Sequence, residues 1–148
     1  MLILDRITRP PGLLRRALMY SLVVEEGRLC ALCTGKSSNP VMWGSVRHAA
    51  LVKTFDSTYE PEVEAAEAGI LRAEIAPLLA NKDSFEFSAR DISRLIIQER
   101  LWTSSRIVLE AAGQRLVFSL SQAQMEEATA FVSRARQMLG LPVPGPRG

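Results

Sequence analysis

The stretch from Ile92 to Leu139 constrains this chain more than any other, because it reads as short strands running directly into one amphipathic helix. Ile107-Val108-Leu109-Glu110-Ala111 and Arg115-Leu116-Val117-Phe118-Ser119-Leu120 flank Ala112-Gly113-Gln114, a strand, turn and strand in sequence. Ser121 follows with Gln124 three residues on, the pair that satisfies free N–H groups at a helix start. Met125, Ala128, Val132, Ala135, Met138 and Leu139 recur at helical spacing, and Gly140 is suited to end the helix. A strand meander closed by a helix means an α+β domain. The expected core holds Leu22, Val24, Leu29, Val108, Val132 and Ala135. Val117 and Phe118 alternate faces and cannot both join it, so Leu116, Phe118 and Leu120 are assigned to the face beneath the helix.

Upstream, Tyr20 to Thr34 predicts a hairpin about Glu26-Gly27, with Glu25 opposite Arg28 and Val24 opposite Leu29. Leu22 and Val24 then share a face with Leu29, Ala31 and Cys33. Leu2-Ile3-Leu4 reads as a short strand ended by Arg9-Pro10-Pro11-Gly12. Leu13, Leu14, Ala17 and Leu18 fit one face of a short helix, either packed on the core or, with Arg15 and Arg16, lying on a membrane surface; the shortness of the stripe favours packing. Residues 35–39 read as a loop. The segment 41–55 fits a helix at Val46, Ala50 and Leu51 or a strand over 51–55, and the strand is preferred. Ser57-Thr58-Tyr59-Glu60 with Pro61 predicts a helix start, and Val63, Ala66, Ile70, Ala73 and Pro77, with Leu71, Ile75 and Leu78, carry the helix over about 58–79. Phe85-Glu86-Phe87 and Leu95 to Leu101 add strands. The chain is read as a single domain over 1–140 with a disordered Pro-rich tail at 141–148.

A chain of 148 residues, 47% hydrophobic and 23% charged, can bury one ordinary core, and its net charge of +2 gives no specific nucleic-acid signal. Its apolar runs are too short for a transmembrane segment. Arg6, Arg9, Arg15 and Arg16 are not followed by the apolar region of a secretory signal. Two cysteines without a dense framework suit a reducing compartment, so a cytoplasmic protein is expected.

Candidate chemistry is sparse. Cys30-Ala31-Leu32-Cys33 has redox spacing, but inside a strand the two side chains point to opposite faces. Thr34-Gly35-Lys36-Ser37 matches only the end of a phosphate loop, because Cys30 stands where its first glycine belongs. One histidine cannot complete a structural metal set, so neither a metal nor a cofactor is expected. Lys36, Trp43, Arg47, His48 and Lys53 form a candidate ligand-binding set for an anion, with His48 as its pH-sensitive member. A histidine beside an arginine is also ordinary solvated surface. Trp102, at a strand end, is the candidate protein-interaction anchor, against the plainer role of core-edge packing. No nucleophile with its base can be assembled, so no catalytic residue is assigned.

Phe85-Glu86-Phe87, Asp91-Ile92-Ser93-Arg94-Leu95, Arg106-Ile107-Val108-Leu109, Gly113-Gln114-Arg115-Leu116-Val117-Phe118 and the closing helix resemble the second half of bacterial pleckstrin-homology-like (PH-like) domains. The hairpin at Tyr20 to Thr34 is similar to their first hairpin, and the helix at 58–79 would be an insertion. The rival is the roadblock/longin sandwich, whose order of hairpin, helix, meander and helix takes the 58–79 helix without insertion but has no place for Phe85-Phe87. Either resemblance implies a non-enzymatic binding or scaffold domain, or a regulatory adaptor, that meets a protein, an anionic headgroup or a second copy of itself. The other class of function is a small anion-binding protein or enzyme built on Arg47, His48 and Lys53.

Overall fold

The computed structural model describes residues 1–13, 16–36, 61–100 and 104–142. Three strands come first, β1 (Leu2–Arg9), β2 (Leu18–Glu25) and β3 (Arg28–Lys36), followed by helices α1 (Pro61–Leu71) and α2 (Ala76–Leu79). Then come β4 (Phe85–Ser88), β5 (Ile92–Gln98), β6 (Arg106–Ala111), β7 (Gln114–Ser119) and the closing helix α3 (Met125–Leu139). The strands form one open antiparallel sheet in the order β4-β3-β2-β1-β7-β6-β5.

The two tight hairpins share one solution. Glu26 and Gly27 have φ of 50° and 73°, and Ala112 and Gly113 have 50° and 78°. Left-handed backbone at both central residues matches the twist of the flanking strands. The first turn sets Glu25 against Arg28 and Val24 against Leu29, as the sequence predicts. The second turn contains only Ala112 and Gly113, so Gln114 belongs to β7.

The main core lies on one side of this sheet. Leu4, Tyr20, Leu22, Val24, Leu29, Ala31, Cys33, Ile107, Leu109, Leu116, Phe118 and Leu120 meet Ala128, Phe131, Val132, Ala135 and Leu139 of α3. The register assigned to Leu116, Phe118 and Leu120 holds, with exposures of 2%, 0% and 2%. Val108 is buried but turns to the other face, since it lies between Ile107 and Leu109 of that core. Met138 is half exposed, and Phe131 fills the row in its place. On the opposite face of β2 and β3, Val23, Cys30 and Leu32 pack against Ile70 and Ile75.

Several sequence expectations are corrected. The first strand runs on to Arg9 because a bulge at Arg6, φ 58°, takes up one residue and restores the alternation at Ile7. Leu18 opens β2 opposite Arg9, and Leu13 is fully exposed, so the described part of 13–18 is not a packed helix. The β3 strand continues through Gly35 and Lys36, where a loop was expected. The helix expected over 58–79 is broken. Ala73 takes φ 60°, the Glu74 N–H bonds to the Gly69 carbonyl at 2.9 Å, and the Ala73 N–H bonds to Ile70 at 2.9 Å. That Schellman closure ends α1 before Pro77, which lacks an N–H and would clash within a continuous helix but is tolerated in the first turn of α2. Ile92, not Leu95, begins β5. Leu141, expected in the tail, packs on the core, and its N–H bonds to the Arg136 carbonyl at 2.9 Å. The expectations for 41–55, and the capping box at 57–60, lie outside the described residues.

Candidate functional site

Register builds the site. Arg9 pairs with Leu18, and Leu18 pairs with Lys36. Residues directly opposite share a sheet face, and Leu18 belongs to the main core. Arg9 and Lys36 therefore flank the mouth of that core, about 9.5 Å apart by two strand spacings. Arg16, in the connection from β1 to β2 and two residues before Leu18, is exposed.

Arg9 is anchored where Lys36 is not. Its Nη1 donates to Tyr20 Oη at 3.4 Å, and its guanidinium carbon lies 5.3 Å from the centre of the Phe85 ring. Phe85 in turn stacks on Phe87, with ring centres 6.1 Å apart at 10°. The Tyr20 hydroxyl donates to the Asp83 carbonyl, and its ring meets Phe118 edge-on at 5.2 Å. Burial pushes the Tyr20 phenol above its ordinary value, partly offset by the bond to Arg9. Tyr20 therefore remains a neutral donor that ties β2 to the segment before β4. Among the described residues Arg9, Arg16 and Lys36 make no ion pair, and Arg9 is held by Tyr20 and Phe85.

Gly35 lets α1 pack closely on the outer face of β3, next to Lys36. A Cβ there would stand 2.9 Å from Val63 Cγ2 and 3.5 Å from the Glu62 carboxyl carbon. Glu62, in the first turn of α1, thus brings a carboxylate beside Gly35.

The two cysteines do not join the site. Cys33 belongs to the main core and Cys30 to the cluster on the opposite face. Burial pushes the Cys30 thiol up to about 11 and raises Cys33 as well. Neither is a thiolate at neutral pH, and their side chains cannot act as a pair across the sheet.

Of the predicted ligand set, Lys36 stands at the mouth, whereas Trp43, Arg47, His48 and Lys53, and the anchor Trp102, lie outside the described residues. Sequence reasoning missed Arg9, Arg16, Tyr20 and Phe85 as partners of Lys36. The available signal was the arginines on either side of Pro10-Pro11-Gly12, which become a rim only once that segment joins two paired strands. Among the described residues no group of His, Cys, Asp and Glu could hold a metal ion, and no helix is long and apolar enough to cross a membrane. No protein-family model matches this chain, and no curated protein matches it.

Proposed function

We propose that this chain is a non-enzymatic binding module of the PH-like kind that takes an anionic group at the mouth formed by Arg9, Arg16 and Lys36. The observation carrying this reading is the alignment of Arg9 and Lys36 on either side of Leu18, with no carboxylate partner for either among the described residues. The cations serve different ends. Arg9, held by Tyr20 and Phe85, gives a fixed fork of donors, and Lys36 and Arg16 adapt around it. Such a site supplies charge-assisted hydrogen bonds to a phosphate or carboxylate without any nucleophile.

The strand order supports the PH-like reading over the roadblock/longin one. Strands β1 and β4 are integral to the sheet here, and the roadblock order has no place for them. The helices α1 and α2 sit on the outer face of β2 and β3, where an insertion between β3 and β4 leaves the meander and α3 undisturbed.

The anionic group has two sources, a lipid headgroup or an acidic protein segment. Sedimentation with vesicles of phosphatidylcholine, alone and with phosphatidylserine, tests the first, and a fluorescent poly-glutamate peptide tests the second. The charge-reversed pair Arg9→Glu and Lys36→Glu should lose at least tenfold in binding to whichever probe the wild type takes. Wild-type protein that binds neither probe above the neutral control contradicts the proposal.

A further inference from the structure

Val63, Ala66, Gly69 and Ile70 of α1 are buried, and Ile70 packs on Val23, Cys30 and Leu32 of the sheet. The opposite side of the helix carries Glu64, Ala65, Ala68, Leu71 and Arg72. The helical repeat places these five within about 120° of one another, with Ala68 at the centre. Arg72 completes the last turn, since its N–H bonds to the Ala68 carbonyl at 3.2 Å. Leu71 is 74% exposed and belongs to neither hydrophobic cluster.

This face is complementary to itself. In an antiparallel pair of α1 helices with a two-fold axis at Ala68, residues equally far before and after Ala68 stand at the same level. Glu64, four residues before, meets Arg72 of the second copy, four residues after. Ala65, three before, meets Leu71, three after, so each exposed leucine enters the hollow beside the other copy's Ala65 and Ala68. Small side chains at the crossing let two helix axes approach closely. Glu64 makes no ion pair among the described residues. Arg72 contacts Glu74 at 3.2 Å, an exposed pair within its own turn that leaves donors to spare. Two other carboxylates of α1 lie off this face, Glu67 on Arg6 and Glu62 beside Gly35.

We propose that the exposed face of α1 binds the same face of a second copy, giving a two-fold dimer closed by two Glu64–Arg72 pairs around the leucines. Charge selects this occupant. An acid four residues to one side of Ala68 is answered by a base four residues to the other, so the second copy supplies both complements at once. The leucine at one end and the alanine at the other match in the same way. The dimer does not depend on the mouth, because this face points away from the sheet and uses none of Arg9, Arg16 and Lys36.

Sedimentation equilibrium of the full chain from about 10 μM to 1 mM is the test, a range suited to the weak association of an interface below about 1,200 Å². The mass should rise from one copy to two and stop there. Arg72→Glu alone and Glu64→Arg alone should each weaken association at least tenfold, the two together should restore it, and Lys36→Glu should leave it unchanged. Ala68→Cys should give a disulfide-linked dimer on mild oxidation, since the two introduced thiols meet at the axis while Cys30 and Cys33 are buried. Where a charge variant does not fold, that cross-link decides. A chain that stays monomeric throughout, or a double variant no tighter than the single ones, would overturn the proposal. A mass that climbs past two copies, or Ala68→Cys protein that does not cross-link, would overturn it in favour of a head-to-tail contact elsewhere on the surface.

Discussion

The side-chain amide of Gln124 donates to the main-chain carbonyl of Arg6 at 2.7 Å, joining residues 118 apart in sequence. The same amide reaches the Asp5 carbonyl at 3.3 Å, while its oxygen accepts from the Ser121 N–H at 3.0 Å. One residue thus closes the start of the final helix and pins it to the bulge in β1. Arg6 also holds α1 through Glu67, with Nε 3.0 Å from Oε2. The bulge therefore ties both α1 and the turn that opens α3 to the sheet.

Removing that fastening should be felt globally. Gln124→Ala loses the cap and leaves carbonyls of the bulge without their donor, an expected cost of about 1–2 kcal/mol. Urea unfolding of the variant against wild type checks this. An unchanged midpoint would mean that the bulge does not need its side-chain partner.

Gly35→Ala should destabilise by about 1–3 kcal/mol, as overpacking in a well-packed site does. The added methyl would stand 2.9 Å from Val63 Cγ2. Hydrogen exchange should locate the damage, with amides of α1 losing more protection than those of β6 and β7.

What could be read from the sequence followed distance along the chain. The turn at Glu26-Gly27, the cap at Ser121 and Gln124 and the facing of Leu116, Phe118 and Leu120 are local patterns, and each predicts its own geometry. The bulge at Arg6 was not legible, because one αL residue flips the alternation and makes Asp5-Arg6 look like the end of a strand. The break at Ala73 was hidden for a similar reason. Alanine is a good helix former, and its left-handed backbone here is set by the closure onto Gly69 and Ile70 and by Pro77 beyond. The mouth was legible only as Lys36. Its alignment with Arg9 depends on β1 pairing with β2, which follows from tertiary registration and not from any periodicity.

The Cys30 thiol, pushed to about 11 by burial, predicts a pH dependence of stability. The unfolded chain loses this proton near pH 9, while the folded chain keeps it until about pH 11. The unfolded state then binds fewer protons, so stability falls as pH rises between those values and levels off above them. Tyr20, also raised by burial, adds to the fall in the alkaline range. Cys30→Ala should flatten the curve of unfolding midpoint against pH above 9, and an unaltered slope would assign the effect elsewhere.

Leu141 extends the described core one residue past the Gly140 cap. Truncation after Pro142 should leave the melting temperature unchanged. Truncation after Gly140 removes the Leu141 N–H bond to Arg136 and its contact with the core, and should lower the melting temperature by a few degrees. Truncation before Ser121 strips Phe131, Val132 and Leu139 from the sheet. At about 1.5–3 kcal/mol for each large side chain, that loss rivals a typical domain stability of about 5–15 kcal/mol, and the chain should not fold cooperatively.

The most direct measurement of the central claim is an amide-resolved titration of the full chain with phosphatidylserine vesicles and, separately, with the poly-glutamate peptide. The account predicts saturable changes at Arg9, Arg16, Leu18 and Lys36, weakened at least tenfold by Lys36→Glu and reduced by added salt. Saturable changes confined to other residues, or none at these four with either probe, would contradict it.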